Sequence, residues 1–121
     1  METMSYETCP VTAALEVIGG RWKPVILFQI RDGPMRFGAL RRAVPRVTQK
    51  MLTQQLRELE RDGIVHREVQ AIVPPRVDYS LTPHGESLKP LLLALCEWGK
   101  KHRMRQSRPV KGKPIKAVPS A

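Results

Sequence analysis

A chain of 121 residues with a formal net charge of +10 has room for one small domain and one modest core. Its two cysteines, Cys9 and Cys96, sit far apart, with no CxxC and no Cys/His cluster at zinc spacing. That argues against a disulfide-stapled secreted scaffold and against a structural zinc module. The longest apolar run, LLLALC, is far short of a membrane span, and METMSYETCP lacks the apolar core of a signal peptide; the expectation is a soluble cytoplasmic protein without metal or cofactor.

In chain order, residues 1–8 read as a flexible lead. Cys9-Pro10 opens a short helix over VTAALEVIG, with Pro at its first position and Gly19-Gly20 as its stop. RWKPVILFQIRDG follows as a mostly buried helix, with Pro24 in its first turn and Gly33 at its end. Met35 to Phe37 reads as a short strand leading into a helix from Gly38 to Val44, because Phe37, Leu40 and Val44 recur at i, i+3 and i+7. Pro45 breaks that helix, and Thr48 is placed to cap the next one, VTQKMLTQQLRELERDG, which Asp62-Gly63 stops.

After Gly63 the period changes. IVHREV and VDYSLT read as two strands, with Val77, Tyr79 and Leu81 alternating with Asp78, Ser80 and Thr82. Pro74-Pro75 belong to the connection between them. Thr82 then caps a last helix with Pro83 at its first position, and Pro90 either kinks this helix or marks the end of its first segment. The fold class is therefore mainly α with a small β-hairpin wing: a winged helix-turn-helix over residues 9–106, followed by a basic, Pro-containing disordered tail over 107–121.

The charge is uneven. Residues 100–121 carry eight Lys or Arg and no acid, so the body of the chain is nearly balanced. Within that body, residues 33–57 hold six bases (Arg36, Arg41, Arg42, Arg46, Lys50, Arg57) and no acid. On a wheel of about 100° per residue, Leu56 and Leu59 fall within roughly 40° of Leu52, which defines a buried face. Lys50, Gln54, Arg57 and Arg61 lie opposite, with Thr53 flanking. A solvated helix face would suit this composition too. Helix, turn, helix and hairpin in that order, with the acid-free window over the two helices, favour DNA.

On this reading Thr48, Gln49, Lys50, Thr53, Gln54 and Arg57 meet base edges or phosphates, since Gln pairs with adenine and Lys or Arg with guanine or phosphate. Arg36, Arg42 and Arg76 are further DNA-contact candidates, with Arg42 and Arg76 assigned to phosphate.

In the last helix Leu88, Leu91, Leu92, Leu95 and Trp98 form a wide apolar stripe. It either closes the core or makes a dimer interface, and we favour the interface, completed by Val11, Leu15 and Ile18. Cys9 is either a small buried hydrophobe or, at a helix N-cap with Arg21 or Lys23 nearby, a redox-sensing thiol. Cys96, within LLLALCEWG, is expected to be inert. KGKP in the tail is a lysine version of a minor-groove hook, against the plainer reading of loose phosphate attraction.

The stretches CPV, GGRWKPVIL, GPMRFGALRRAVP, QKMLTQQLRELERDGIVHR, PPRVDYSLTPHG and LLLALCEWGKKH, in this order and spacing, resemble the HxlR family of bacterial transcriptional regulators, a branch of the winged-helix, MarR-like proteins. The resemblance spans residues 9–102. It implies a non-enzymatic, dimeric regulator that binds double-stranded DNA, with its recognition helix at 48–61, its wing at 64–82, and terminal helices that join the homodimer. It also implies, from a subset of the family, that Cys9 responds to electrophiles or oxidants. The chain departs from the family in lacking an aromatic residue near Gln70 and an acid near Ile72, and in its basic tail.

Two other classes compete. An enzyme would need a nucleophile and base at workable spacing, and His66, His84 and His102 are placed for structural or surface roles. A winged-helix protein-interaction module, or a non-specific nucleic-acid binder, would use the same basic window. Salt-sensitive, sequence-selective binding of duplex DNA separates these readings. The expectation is a homodimeric repressor on an inverted repeat; inducer and operator are not encoded in any motif found.

Overall fold

The computed structural model describes residues 5–107; the leading four residues and the tail beyond 107, with its KGKP motif, lie outside the described residues. The elements are α1 (Pro10–Ile18), α2 (Lys23–Gln29), β1 (Met35–Arg36), α3 (Phe37–Ala43), α4 (Gln49–Arg61), β2 (Val65–Gln70), β3 (Arg76–Leu81), α5 (Pro83–Glu86) and α6 (Lys89–Ser107). Mostly helical, with a small antiparallel sheet, this is the winged helix-turn-helix that the sequence pattern implies.

The core is built from the apolar faces of α2, α3 and α4. Ile26, Leu27, Ile30, Leu40, Leu52, Leu56 and Leu59 are essentially inaccessible, and Val44 and Val47 seal the turn between α3 and α4. Their spacing explains the arrangement. Leu52, Leu56 and Leu59 share one side of α4, so burying them turns Lys50, Gln54 and Arg57 outward.

Both ends of α4 are fixed by local chemistry. Thr48 Oγ1 accepts a hydrogen bond from the Met51 N–H at 3.0 Å, satisfying one orphan donor at the N-terminus. At the other end the Ile64 N–H bonds to Leu59 O at 2.9 Å and the Gly63 N–H to Glu60 O at 3.0 Å. That pair is a Schellman stop, and it requires the left-handed backbone that Gly63 adopts at φ 74°.

Three strands form the sheet, in the order β1-β3-β2. The hairpin pairs Val65 with Leu81 through to Gln70 with Arg76, and β1 adds Met35 opposite Tyr79 and Arg36 opposite Asp78. The expected wing hairpin is thus present and is extended by a third strand. Tyr79 is buried at its centre, with its ring 6.4 Å from that of Phe37. Phe37 itself begins α3, one residue earlier than the spacing predicts.

Pro90 marks a break rather than a kink. α5 ends at Glu86, two residues intervene, and Pro90 is the second residue of α6, where a missing N–H costs nothing. Thr82 caps α5 by accepting the Gly85 N–H at 3.0 Å. Its own hydroxyl proton faces the carbonyl oxygens of Gly63 at 2.5 Å and Ile64 at 3.2 Å. One side chain therefore ties the exit of α4, the root of the wing and the entry to the terminal helices. Within residues 5–8, Ser5 and Thr8 bond reciprocally, side chain to side chain and side chain to backbone.

Candidate nucleic-acid interface

The exposed side of α4 forms a shallow concavity lined by Gln49, Lys50, Thr53, Gln54 and Arg57. These are five of the six candidates taken from this helix. The sixth, Thr48, is spent on capping, and its hydroxyl already accepts from Met51. The concavity contains no acid. Of the two acids on α4, Glu58 is half-buried and turned toward the body of the domain, and Glu60 is exposed near the C-terminal end; Asp62, the C-cap, lies 3.7 Å from Arg61.

Two tertiary contacts orient this face, and sequence reasoning missed both. Arg41, on the last turn of α3, donates from Nη1 to Gln49 Oε1 at 3.3 Å. Lys23, at the start of α2, donates from Nζ to Glu58 Oε1 at 2.6 Å, and Gln54 Nε2 donates to the other oxygen, Oε2, at 3.3 Å. The Lys23 side chain is only 9% exposed, so its ammonium depends on that carboxylate. The hydrogen bond from Lys23, then the one from Gln54, hold the Glu58 carboxyl below its usual range. The i, i+4 spacing of Gln54 and Glu58 was visible in the sequence; the tie to Lys23, across 35 positions, was not.

A second cluster lies at the wing. Arg36 on β1 and Arg76 on β3 line one recess with Ile72, Pro74 and Pro75 of the wing tip. Arg36 is exposed. Arg76 is half-buried, and its Nη2 lies 3.4 Å from Asp78 Oδ2, which also accepts from Gln70 Nε2 at 3.4 Å. Arg76 is therefore tethered to Asp78 within the sheet. Arg42 is exposed at the end of α3.

The apolar stripe of α6 divides. Leu92 is buried and Leu88 packs against the core, so these two close the domain itself. Leu91, Leu95 and Trp98 face outward, as do Leu15 and Val11 on α1, with Trp98 66% and Leu15 58% exposed. Ile18 is buried. Trp98 stacks on His102 one turn along, at 4.9 Å between ring centroids.

Cys9 is the N-cap residue of α1, half-buried, and its thiol makes no capping bond. Lys23 is committed to Glu58, and the Arg21 guanidinium lies over the Trp22 ring at 5.0 Å; these are the contacts of the two cations expected to support Cys9. Cys96 is half-buried in a groove between α2 and α6, beside Phe28 and Leu95. Among the described residues no group of His, Cys, Asp and Glu is arranged to hold a metal ion, and no helix is long and apolar enough to cross a membrane.

Comparison with known proteins places this geometry. Residues 17–107 match the model of the HxlR-like helix-turn-helix family. The chain is 51% identical over 100 residues to the uncharacterized HTH-type transcriptional regulator YdeP of Bacillus subtilis (strain 168), covering 83% of this chain and 78% of that one. It is 55% identical over 97 residues to YybR of the same organism, another uncharacterized HTH-type transcriptional regulator, covering 80% and 78% respectively. Among solved structures it is similar to the redox regulator HypR in its oxidized form, with a TM-score of 0.76 and 52% identity over 84% of this chain and all of that one.

Proposed function

The chain belongs to the HxlR-like helix-turn-helix family of transcriptional regulators, and from that premise we propose that it is a sequence-specific repressor that binds double-stranded DNA as a homodimer on an inverted repeat. The observation that carries this reading is the outer face of α4. It is capped at its N-terminus, free of acids over its first half, and presents Gln49, Lys50, Thr53, Gln54 and Arg57 together. Such a face supplies the donors and acceptors that major-groove base edges require, and a helix N-terminus adds partial positive charge toward phosphate. Arg36, Arg42 and Arg76 flank it as further DNA contacts, Arg42 and Arg76 at phosphate. The exposed side chains of Leu15, Leu91, Leu95 and Trp98 supply the homodimer interface. The regulator domain spans residues 9–106 and works in the cytoplasm without cofactor or catalysis.

Selection of bound sequences from random duplexes tests the reading directly. An inverted repeat with half-sites about one helical turn apart is expected. Gln54→Ala should cost about 1–3 kcal/mol on the selected site and relax the preference at one position, whereas Arg42→Ala should weaken all sequences alike. Unchanged affinity and preference in both Gln54→Ala and Lys50→Ala would remove α4 as the reader. Recovery of no preferred sequence would favour a non-specific binder or a protein-interaction module.

The signal sensed is proposed to be an oxidant or electrophile acting on Cys9. The similarity to a solved redox regulator supports this, as does the position of Cys9 at a helix N-terminus beside the exposed face of α1. Affinity before and after diamide decides it: wild type should lose DNA and Cys9→Ser should not, with Cys96→Ser behaving as wild type.

A further inference from the structure

The Gln54–Glu58 bond is of a kind common on helix surfaces, where an i, i+4 pair contributes only about 0.2–0.5 kcal/mol and both side chains remain free to swing. Here the acceptor is not free. Glu58 Oε1 is held at 2.6 Å by the Lys23 ammonium, which enters from α2 and is nearly excluded from water. A buried lysine of this kind cannot release its partner without losing the counter-charge that holds it. The second oxygen, Oε2, is thereby fixed in space, and it is the one that receives Gln54 Nε2 at 3.3 Å.

We propose that Glu58, pinned by Lys23, is a specificity-determining positioning residue that fixes which end of the Gln54 amide is nitrogen and which is oxygen at the DNA-facing surface of α4. This rests on the reading of α4 as the base-reading helix. An unrestrained glutamine amide turns over by rotation about its last bond and exchanges donor for acceptor. With one N–H given to Glu58, Gln54 keeps a second N–H and a carbonyl oxygen in a set order. The adenine edge offers N7 as acceptor and N6 as donor, which that order matches. The guanine edge offers two acceptors, N7 and O6, and the fixed carbonyl oxygen would oppose one of them. Each half-site should therefore prefer adenine at one position, with the discrimination set by Glu58 and Lys23 although neither touches the base.

The test compares duplexes that differ only at the position where Gln54→Ala relaxes the preference of the full chain. Wild type should favour adenine there by about tenfold or more, the scale of one bidentate pair. Glu58→Met removes the acceptor at similar length. The double variant Lys23→Met/Glu58→Met removes the ion pair together and keeps a folded protein available if the single variant, with a lone buried lysine, does not fold. Both should reduce the preference to about threefold or less, and Gln54→Ala added to the double variant should reduce it no further than Gln54→Ala alone. A double variant that folds and keeps the wild-type preference, or one that weakens all duplexes equally with the preference intact, overturns the inference. Gln54→Ala without effect at any position would instead overturn the reading of α4 itself.

Discussion

Substituting Gly85 by alanine should unfold the junction between wing and terminal helices, and the size of the effect follows from the geometry. A methyl group at Gly85 would sit 2.2 Å from the carbonyl oxygen of Ile64 and 3.2 Å from Leu81 Cδ2. The first distance is about 1 Å short of van der Waals contact, and the obstacle is backbone. That carbonyl cannot simply retreat, because it accepts the Thr82 N–H at 3.0 Å. Overpacking of this kind costs about 1–3 kcal/mol. Loosening the Thr82 and Gly85 N–H bonds adds about 0.5–1.5 kcal/mol each, and the helical gain of alanine over glycine returns about 0.5–1 kcal/mol. The net loss should be about 1–5 kcal/mol, a fall in Tm of about 4 °C or more for a domain of this size. Thermal and urea unfolding followed by far-UV circular dichroism, at one fixed protein concentration, would measure it. Gly63 provides a contrast: nothing lies within 4 Å, but φ is 74°. There alanine should cost about 1–2 kcal/mol from backbone conformation alone, and asparagine less. If Gly85→Ala stays within about 0.5 kcal/mol of wild type, the close crossing of α5 over Ile64 is wrong.

Thr48→Ala removes the side-chain acceptor that caps α4 and should cost about 1 kcal/mol in urea unfolding, while Thr48→Ser should be near neutral. The Glu58 carboxyl is held below its usual range by Lys23 and Gln54, so its contribution to stability should be present above the ordinary value of 4.5 and be lost as pH falls through the lower folded value. Unfolding curves across acid pH should show that dependence in wild type and not in Glu58→Gln. Leu95→Glu with Trp98→Glu places two charges on the exposed side of α6 without touching the buried Leu92; sedimentation should report monomers, and a persistent dimer would move the proposed interface elsewhere.

Local rules made most of the fold legible in the sequence. The periodicity of Leu52, Leu56 and Leu59, the Thr48 and Thr82 caps, the Gly63 stop and the alternation around Tyr79 are all set within a few residues, and each recurs in the structure. What was not legible depends on segments meeting in space. β1 is two residues long and is a strand only because β3 lies beside it, so no period announced its pairing. Leu92 and Leu95 look alike in sequence; packing of α6 on α2 buries one and leaves the other 48% exposed. The same holds for the site. The types and spacing of Gln49, Lys50, Thr53, Gln54 and Arg57 marked a candidate surface, but the partners that orient it, Arg41 and Lys23, come from other helices. Arg76, chosen for its charge near the wing tip, proves to be tied to Asp78 across the same strand.

α6 runs 19 residues, about 28 Å of straight rod, from a two-residue joint after α5. Leu88 and Leu92 fasten it near its root, and the length beyond them is outside the core. A rod held at one end multiplies angle into distance. A tilt of about 3° at the joint carries the far end roughly 1.5 Å, and about 7° carries it roughly 3.4 Å, the rise of one base pair. In the proposed homodimer, joined along these rods, the separation of the two α4 helices would follow the packing angle of α6 in the same way. On the proposed operator, half-site spacing would then register small changes at that joint, and the rise of the DNA is the natural unit in which to measure them.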